Sequence, residues 1–89
     1  MDISNYKIAN NQGLSLLRVP VLADNYFYLV HSARTGECAL VDSPVAEPVL
    51  ALLEGLGWRL THIFNTHHHG DHVGANKALV KATGCAVLG

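Results

Sequence analysis

In the stretch Asn65-Thr66-His67-His68-His69-Gly70-Asp71-His72, four of the chain's six histidines stand beside a carboxylate. Imidazole nitrogens and a carboxylate oxygen are the donors that zinc and its borderline neighbours prefer. In extended backbone alternate side chains face the same way, so His67 and His69 can grip one ion together. Gly70 lets the chain turn without a Cβ penalty. Asp71 and His72 then fall at the start of a helix, displaced from the first pair and able to reach a second ion. His68 points away from that pair and is not expected to ligate. Asp71 could instead cap the helix, and residues 67–69 could form a solvated loop. Four ligand-type groups within six residues, directly after an apolar strand, favour the metal reading. His31 and His62 fall inside strand-like segments and read as ordinary structural histidines.

The elements that must position this cluster follow from hydrophobic periodicity. Residues 60–66 read as a strand, so the cluster sits at a strand's carboxyl end, where open α/β sheets bind ligands. Upstream, residues 14–21 form a strand, with Pro20 at a sheet edge or strand end because it cannot donate to a ladder. Ala23-Asp24-Asn25 is turn chemistry, and residues 26–31 are an aromatic and β-branched strand. A hairpin loop over 32–37 leads to a strand over 38–42, completing an antiparallel meander. Val49, Leu52, Leu53 and Leu56 then recur at helical spacing, with Pro48 tolerable in the first turn and Gly57 as the stop. A strand reached through that helix joins the sheet by a βαβ crossover. After the cluster, residues 73–83 read as a second helix with Leu79 and Val80 on its apolar side and Gly84 ending it. Residues 85–89 start a further strand. The polar residues 1–12 lack periodicity and read as a loose lead-in to one incomplete domain over 13–89.

Composition narrows the function classes. With 49% hydrophobic residues in 89, the chain is too apolar for a disordered tail and long enough for one small domain. Six Lys and Arg against seven Asp and Glu leave no basic stripe, so no nucleic-acid partner is expected. No segment is apolar for long enough to span a membrane. Cys38 and Cys85 belong to no metal-ligand spacing and read as small buried hydrophobes. Two thiols without a disulfide framework suggest a reducing, cytoplasmic setting.

Thr66-His67-His68-His69-Gly70-Asp71-His72 resembles the T-H-x-H-x-D-H motif of the metallo-β-lactamase superfamily. The triple histidine is similar to that of glyoxalase II, the hydroxyacylglutathione hydrolases. Asp24-Asn25-Tyr26 ahead of a strand, and Ala39-Leu40-Val41-Asp42 before a Pro-containing turn, are also similar. The chain departs from that pattern at Ser43-Pro44, where the family has Pro-Gly, and at Val73-Gly74-Ala75-Asn76, which lacks one Gly of a Gly-Gly-Asn. The resemblance implies an α/β fold, the N-terminal half of a metallo-β-lactamase-type αββα sandwich with a mixed sheet and flanking helices. It implies that His67 and His69 bind one metal and Asp71 and His72 another, Asp71 also orienting the attacking hydroxide. Asp42 would orient the loop without ligating, and Asp24 and Asn25 would be turn and packing residues near the site.

The implied cofactor is a pair of divalent ions, zinc first and iron or manganese as alternatives. Such a pair polarises a carbonyl and brings the pKa of bound water from about 15.7 towards about 7. The implied substrate is the thioester of S-D-lactoylglutathione or a related acylglutathione. Two metals need more ligands than these four, and after His72 the sequence holds no His, Asp or Glu. The chain therefore reads as the amino-terminal portion of such an enzyme and is expected to be inactive alone. Two alternatives remain: a related persulfide dioxygenase with a single iron, and a non-catalytic metal-binding module.

Overall fold

The computed structural model describes residues 6–22, 25–41, 45–65 and 70–88, and for Ile8 and residues 70–74 the backbone alone. Six strands form one sheet in the order β1-β2-β3-β4-β5-β6. β1 (Lys7–Asn11), β2 (Leu14–Val21), β3 (Asn25–Ser32) and β4 (Cys38–Val41) pair antiparallel. β5 (His62–Phe64) and β6 (Ala86–Leu88) add in parallel, each reached through a helix: α1 (Glu47–Leu56) and α2 (Gly70–Thr83). The expected meander, crossover and mixed sheet with helices are all present.

Alternation along the strands sorts the apolar residues onto one face. Leu17, Val19 and Val21 of β2, Phe27 and Leu29 of β3, Cys38 and Leu40 of β4, and Ile63 of β5 are buried. Val49, Leu52 and Leu53 of α1 and Leu79 of α2 pack into the same cluster, so both helices cover one side of the sheet. On the other side Leu14, Tyr26, Phe64 and Leu88 are 40–51% exposed. Val80, expected beside Leu79 on the apolar side of α2, is exposed instead. Ala75 and Leu79, four residues apart, define the buried stripe, and Val80 lies one step round the helix from it.

The lead-in expected over residues 1–12 is corrected: Lys7–Asn11 is strand β1, paired with Leu14–Leu17. Gln12 and Gly13 join the two strands, both at positive φ (54° and 83°), as a two-residue hairpin turn of the primed kind requires. Pro20 lies beyond the reach of β1, which ends opposite Leu17, so its missing N–H removes no bond on that side. α1 places Pro48 in its first turn and ends at Gly57 in the left-handed conformation. There the Gly57 and Trp58 N–H groups donate to the carbonyls of Glu54 and Leu53, closing the helix end.

β5 is shorter than its apolar run, and Thr61 explains how the sheet stays closed below it. The Cys38 N–H donates to Thr61 Oγ1 at 2.9 Å, and that hydroxyl donates back to the Cys38 carbonyl at 2.9 Å. The Thr61 N–H also donates to the Cys38 carbonyl, and the Thr61 carbonyl accepts from Ala86. One threonine thus ties the start of β4 to the approaches of β5 and β6.

Candidate metal centre

The register decides which groups share an end of the sheet. Val41 pairs with Phe64 in parallel, and Tyr28 pairs with Val41 in antiparallel fashion. The exits of β4 and β5 and the entry of β3 therefore lie together. From that end β4 leads to Asp42, β5 leads through Asn65 to the histidine segment, and the chain re-enters regular structure as α2. Asn25, expected in the turn, is the first residue of β3 and is exposed at this same end.

Asp24, Asp42, His67, His68 and His69 lie outside the described residues. Asp71 and His72 fall in the first turn of α2, which begins at Gly70 where the sequence suggests 73. A carboxylate in that turn is favoured by the helix dipole, and glycine opens the helix without steric cost. Among the described residues no three His, Cys, Asp or Glu side chains come together.

Two buried oxygens bracket the segment. Asn65 Oδ1, just after β5, and Asn76 Oδ1, in α2, have no hydrogen-bond partner among the described residues. A buried amide oxygen normally has one. Sequence reasoning gave neither asparagine a role; the available signal was their position on either side of the cluster. By residue type, imidazole and carboxylate donors are those that zinc and similar divalent ions take.

The other two histidines, His31 and His62, lie in strands, as the sequence suggests. His31 stacks on Trp58 with ring centroids 4.1 Å apart and planes 3° from parallel. It pairs with Cys38 at the entry of β4, the opposite end of the sheet from the exits of β4 and β5. Burial lowers its pKa from the ordinary imidazole value. His62 Nδ1 lies 2.9 Å from Thr61 Oγ1. Cys38 and Cys85 are buried free thiols, and burial pushes the Cys38 pKa up to about 12. No helix among the described residues is long and apolar enough to cross a membrane.

Comparison with known proteins agrees with this architecture. The hydroxyacylglutathione hydrolase of Methylococcus capsulatus is 58% identical over 76 residues, covering 85% of this chain and 30% of that protein. That of Rhodospirillum rubrum is 54% identical over 76 residues, with the same coverage of 85% and 30%. Among solved structures, ETHE1 from Myxococcus xanthus has a TM-score of 0.66 and 35% identity, covering 85% of this chain and 34% of its own. BLEG-1 B3 metallo-beta-lactamase has a TM-score of 0.70 at 23% identity, covering 81% and 35%, which speaks for the fold alone. The chain spans about a third of the length of these proteins. The family model of the metallo-beta-lactamase superfamily matches residues 21–89, and the chain belongs to that superfamily.

Proposed function

We propose that this chain supplies metal ligands to a hydrolase of the glyoxalase II type. The reaction cleaves the thioester of S-D-lactoylglutathione, or of a related acylglutathione, to a hydroxy acid and glutathione. The observation that carries this reading is the 58% identity with a hydroxyacylglutathione hydrolase over 76 of the 89 residues, a match long enough that it must include positions 66–72.

The donor set fits two divalent ions, with zinc first and iron or manganese as alternatives. When bound, such ions polarise the thioester carbonyl and supply an activated water near neutral pH. His67 and His69 hold the first ion; Asp71 and His72 hold the second. Asp71 would also orient the attacking water, its carboxylate accepting a hydrogen bond from the water O–H. Asp42, the residue after β4 in the sequence, would orient its loop without ligating. The free thiols of Cys38 and Cys85 support a reducing, cytoplasmic setting. The partner is a small-molecule thioester, with neither nucleic acid nor membrane involved.

Four ligand groups leave two metal shells incomplete, so the 89-residue chain alone turns over thioester negligibly. Two measurements test this. Zinc titration against a competing chromophoric chelator should show binding that is lost in His67→Ala and in His72→Ala; unchanged affinity in both refutes the ligand assignment. Turnover of S-D-lactoylglutathione by the purified chain, abolished by His67→Ala, would contradict the incomplete shell. The 35% identity with ETHE1 favours one second reading, a related mononuclear-iron persulfide dioxygenase. A single iron with oxygen consumption, in place of two zinc-type ions, would select it.

A further inference from the structure

The face of the sheet turned away from α1 and α2 does not carry the side chains of a water-facing surface. A sheet with one solvated face alternates apolar and polar residues along its strands. Here the register sets Arg18, Tyr28, Val41 and Phe64 in one row across β2 to β5, and Leu16, Val30, Ala39 and His62 in the next. Apart from the Tyr28 hydroxyl, Arg18 and His62 are the polar side chains of these rows. All six strands belong to the one sheet and both helices pack on its other side, so among the described residues no element lies over this face. The face also has relief. Leu14, Val30, Ala39, His62, Phe64 and Leu88 line a hollow of about 340 Å³ across it, with Ser32 and Glu37 at one end. Tyr26, 51% exposed, stands on the same face beyond the hollow, its ring centroid 5.2 Å from the Arg18 guanidinium.

We propose that this face binds a second copy of the chain, sheet against sheet, with the Tyr26 ring of each copy seated in the hollow of the other. Tyr26 and the hollow lie at different places along the strands. A two-fold axis running across the strands therefore exchanges them, and both contacts form at once, as an isologous pair requires. Such an axis leaves the strands of the two sheets close to aligned, a common packing of apolar sheet faces. Thr61 Oγ1 gives its proton to the Cys38 carbonyl and so takes one from His62 Nδ1. That leaves His62 Nε2 as an acceptor for the Tyr26 hydroxyl of the other copy, which a buried phenol requires. With strands about 4.8 Å apart and about 3.3 Å per residue, the face offers about 600 Å² on each copy and about 1,200 Å² in the pair, the lower bound for a specific stable interface. The contact uses none of the residues assigned to the metal.

The test is the oligomeric state of the 89-residue chain. Sedimentation equilibrium should give twice the 9.6 kDa chain mass, falling towards a single chain on dilution. Tyr26→Ala removes the inserted ring, and Phe64→Lys puts a charge beside the hollow. Both side chains are at least 40% exposed in the single copy, so the fold should be retained, and far-ultraviolet circular dichroism checks it. Each variant should raise the dissociation constant at least about tenfold. Val80→Lys, at an exposed apolar position on α2, should leave it unchanged. In dimers mixed from labelled and unlabelled chains, isotope-filtered nuclear Overhauser spectra should join the Tyr26 ring to His62 or Leu88 of the other chain. A single chain at every concentration overturns the proposal and leaves the face to a different occupant. A ladder of larger aggregates, equal dissociation in all three variants, or a dimer without the Tyr26 contacts overturns it as well. So does a dimer that Tyr26→Ala and Phe64→Lys leave intact.

Discussion

Thr61→Val removes one hydroxyl and almost nothing else, which makes it a sharp probe of how the sheet is closed. Valine keeps the β-branched shape, so packing beside Leu60 and Ile63 is preserved. The Ser32 N–H donates to Glu37, which turns the backbone groups of the next residue pair, His31 and Cys38, away from each other. The Cys38 N–H therefore points to the β5 side, where Thr61 Oγ1 is its acceptor at 2.9 Å. In the valine variant that N–H is buried without a partner, at a cost of about 1–3 kcal/mol. The Cys38 carbonyl keeps the Thr61 N–H, so the second lost bond adds less, about 0.5–1 kcal/mol. The expected loss is about 1.5–4 kcal/mol, against a total of about 4–13 kcal/mol for a domain of this size. Urea unfolding followed by circular dichroism should show a lower midpoint at unchanged slope, and Thr61→Ser should recover most of the loss. A valine variant within about 0.5 kcal/mol of wild type would refute the account, because a buried N–H cannot go unpaired at so small a cost.

Other expectations concern the thiol, the stacked imidazole and the core. Cys38, with its pKa raised to about 12 by burial, should resist alkylation in the folded protein and react once urea unfolds it; labelling at native rates comparable to a free thiol would contradict its burial. Burial lowers the His31 pKa in the folded state, so the unfolded chain binds more protons below the ordinary imidazole value. The stability contributed by neutral His31 is thus present above that value and is lost as pH falls towards the folded pKa. His31→Phe keeps a ring on Trp58 and should flatten that part of the pH dependence of urea unfolding; an identical profile in wild type and variant counts against it. Leu40→Ala, in a side chain with no exposure at the centre of the sheet, should destabilise by about 2–5 kcal/mol, read as a fall in the thermal midpoint.

Much of this architecture was legible because its signals are local. The alternation of Leu17, Val19 and Val21, the helical spacing of Val49, Leu52, Leu53 and Leu56, and the glycine at 57 each act within one element. β1 was not legible, because Lys7-Ile8-Ala9-Asn10-Asn11 has little strand propensity of its own and is held by pairing with β2. The clue that could have found it was Gln12-Gly13, a polar residue and a glycine ahead of an apolar strand. β5 was read as longer than it is, because periodicity cannot show that a side-chain hydroxyl at Thr61 takes over from the backbone ladder. At the candidate site, Asp71 and His72 fall in the first turn of α2, while His67 and His69 lie outside the described residues. The buried, unpartnered amide oxygens of Asn65 and Asn76 were not legible, since such an atom becomes visible only once burial is known.

The sheet joins two kinds of connection, and they differ in how quickly a chain can make them. The β2–β3 and β3–β4 hairpins close short loops, whereas β5 and β6 must wait for a helix-long excursion before they find their neighbours. Because loop closure precedes the reward of each long-range pairing, assembly should run from the hairpin side towards Leu88. The histidine segment lies in the chain between β5 and β6, so the two strands that flank it reach their neighbours only in the later stage of collapse.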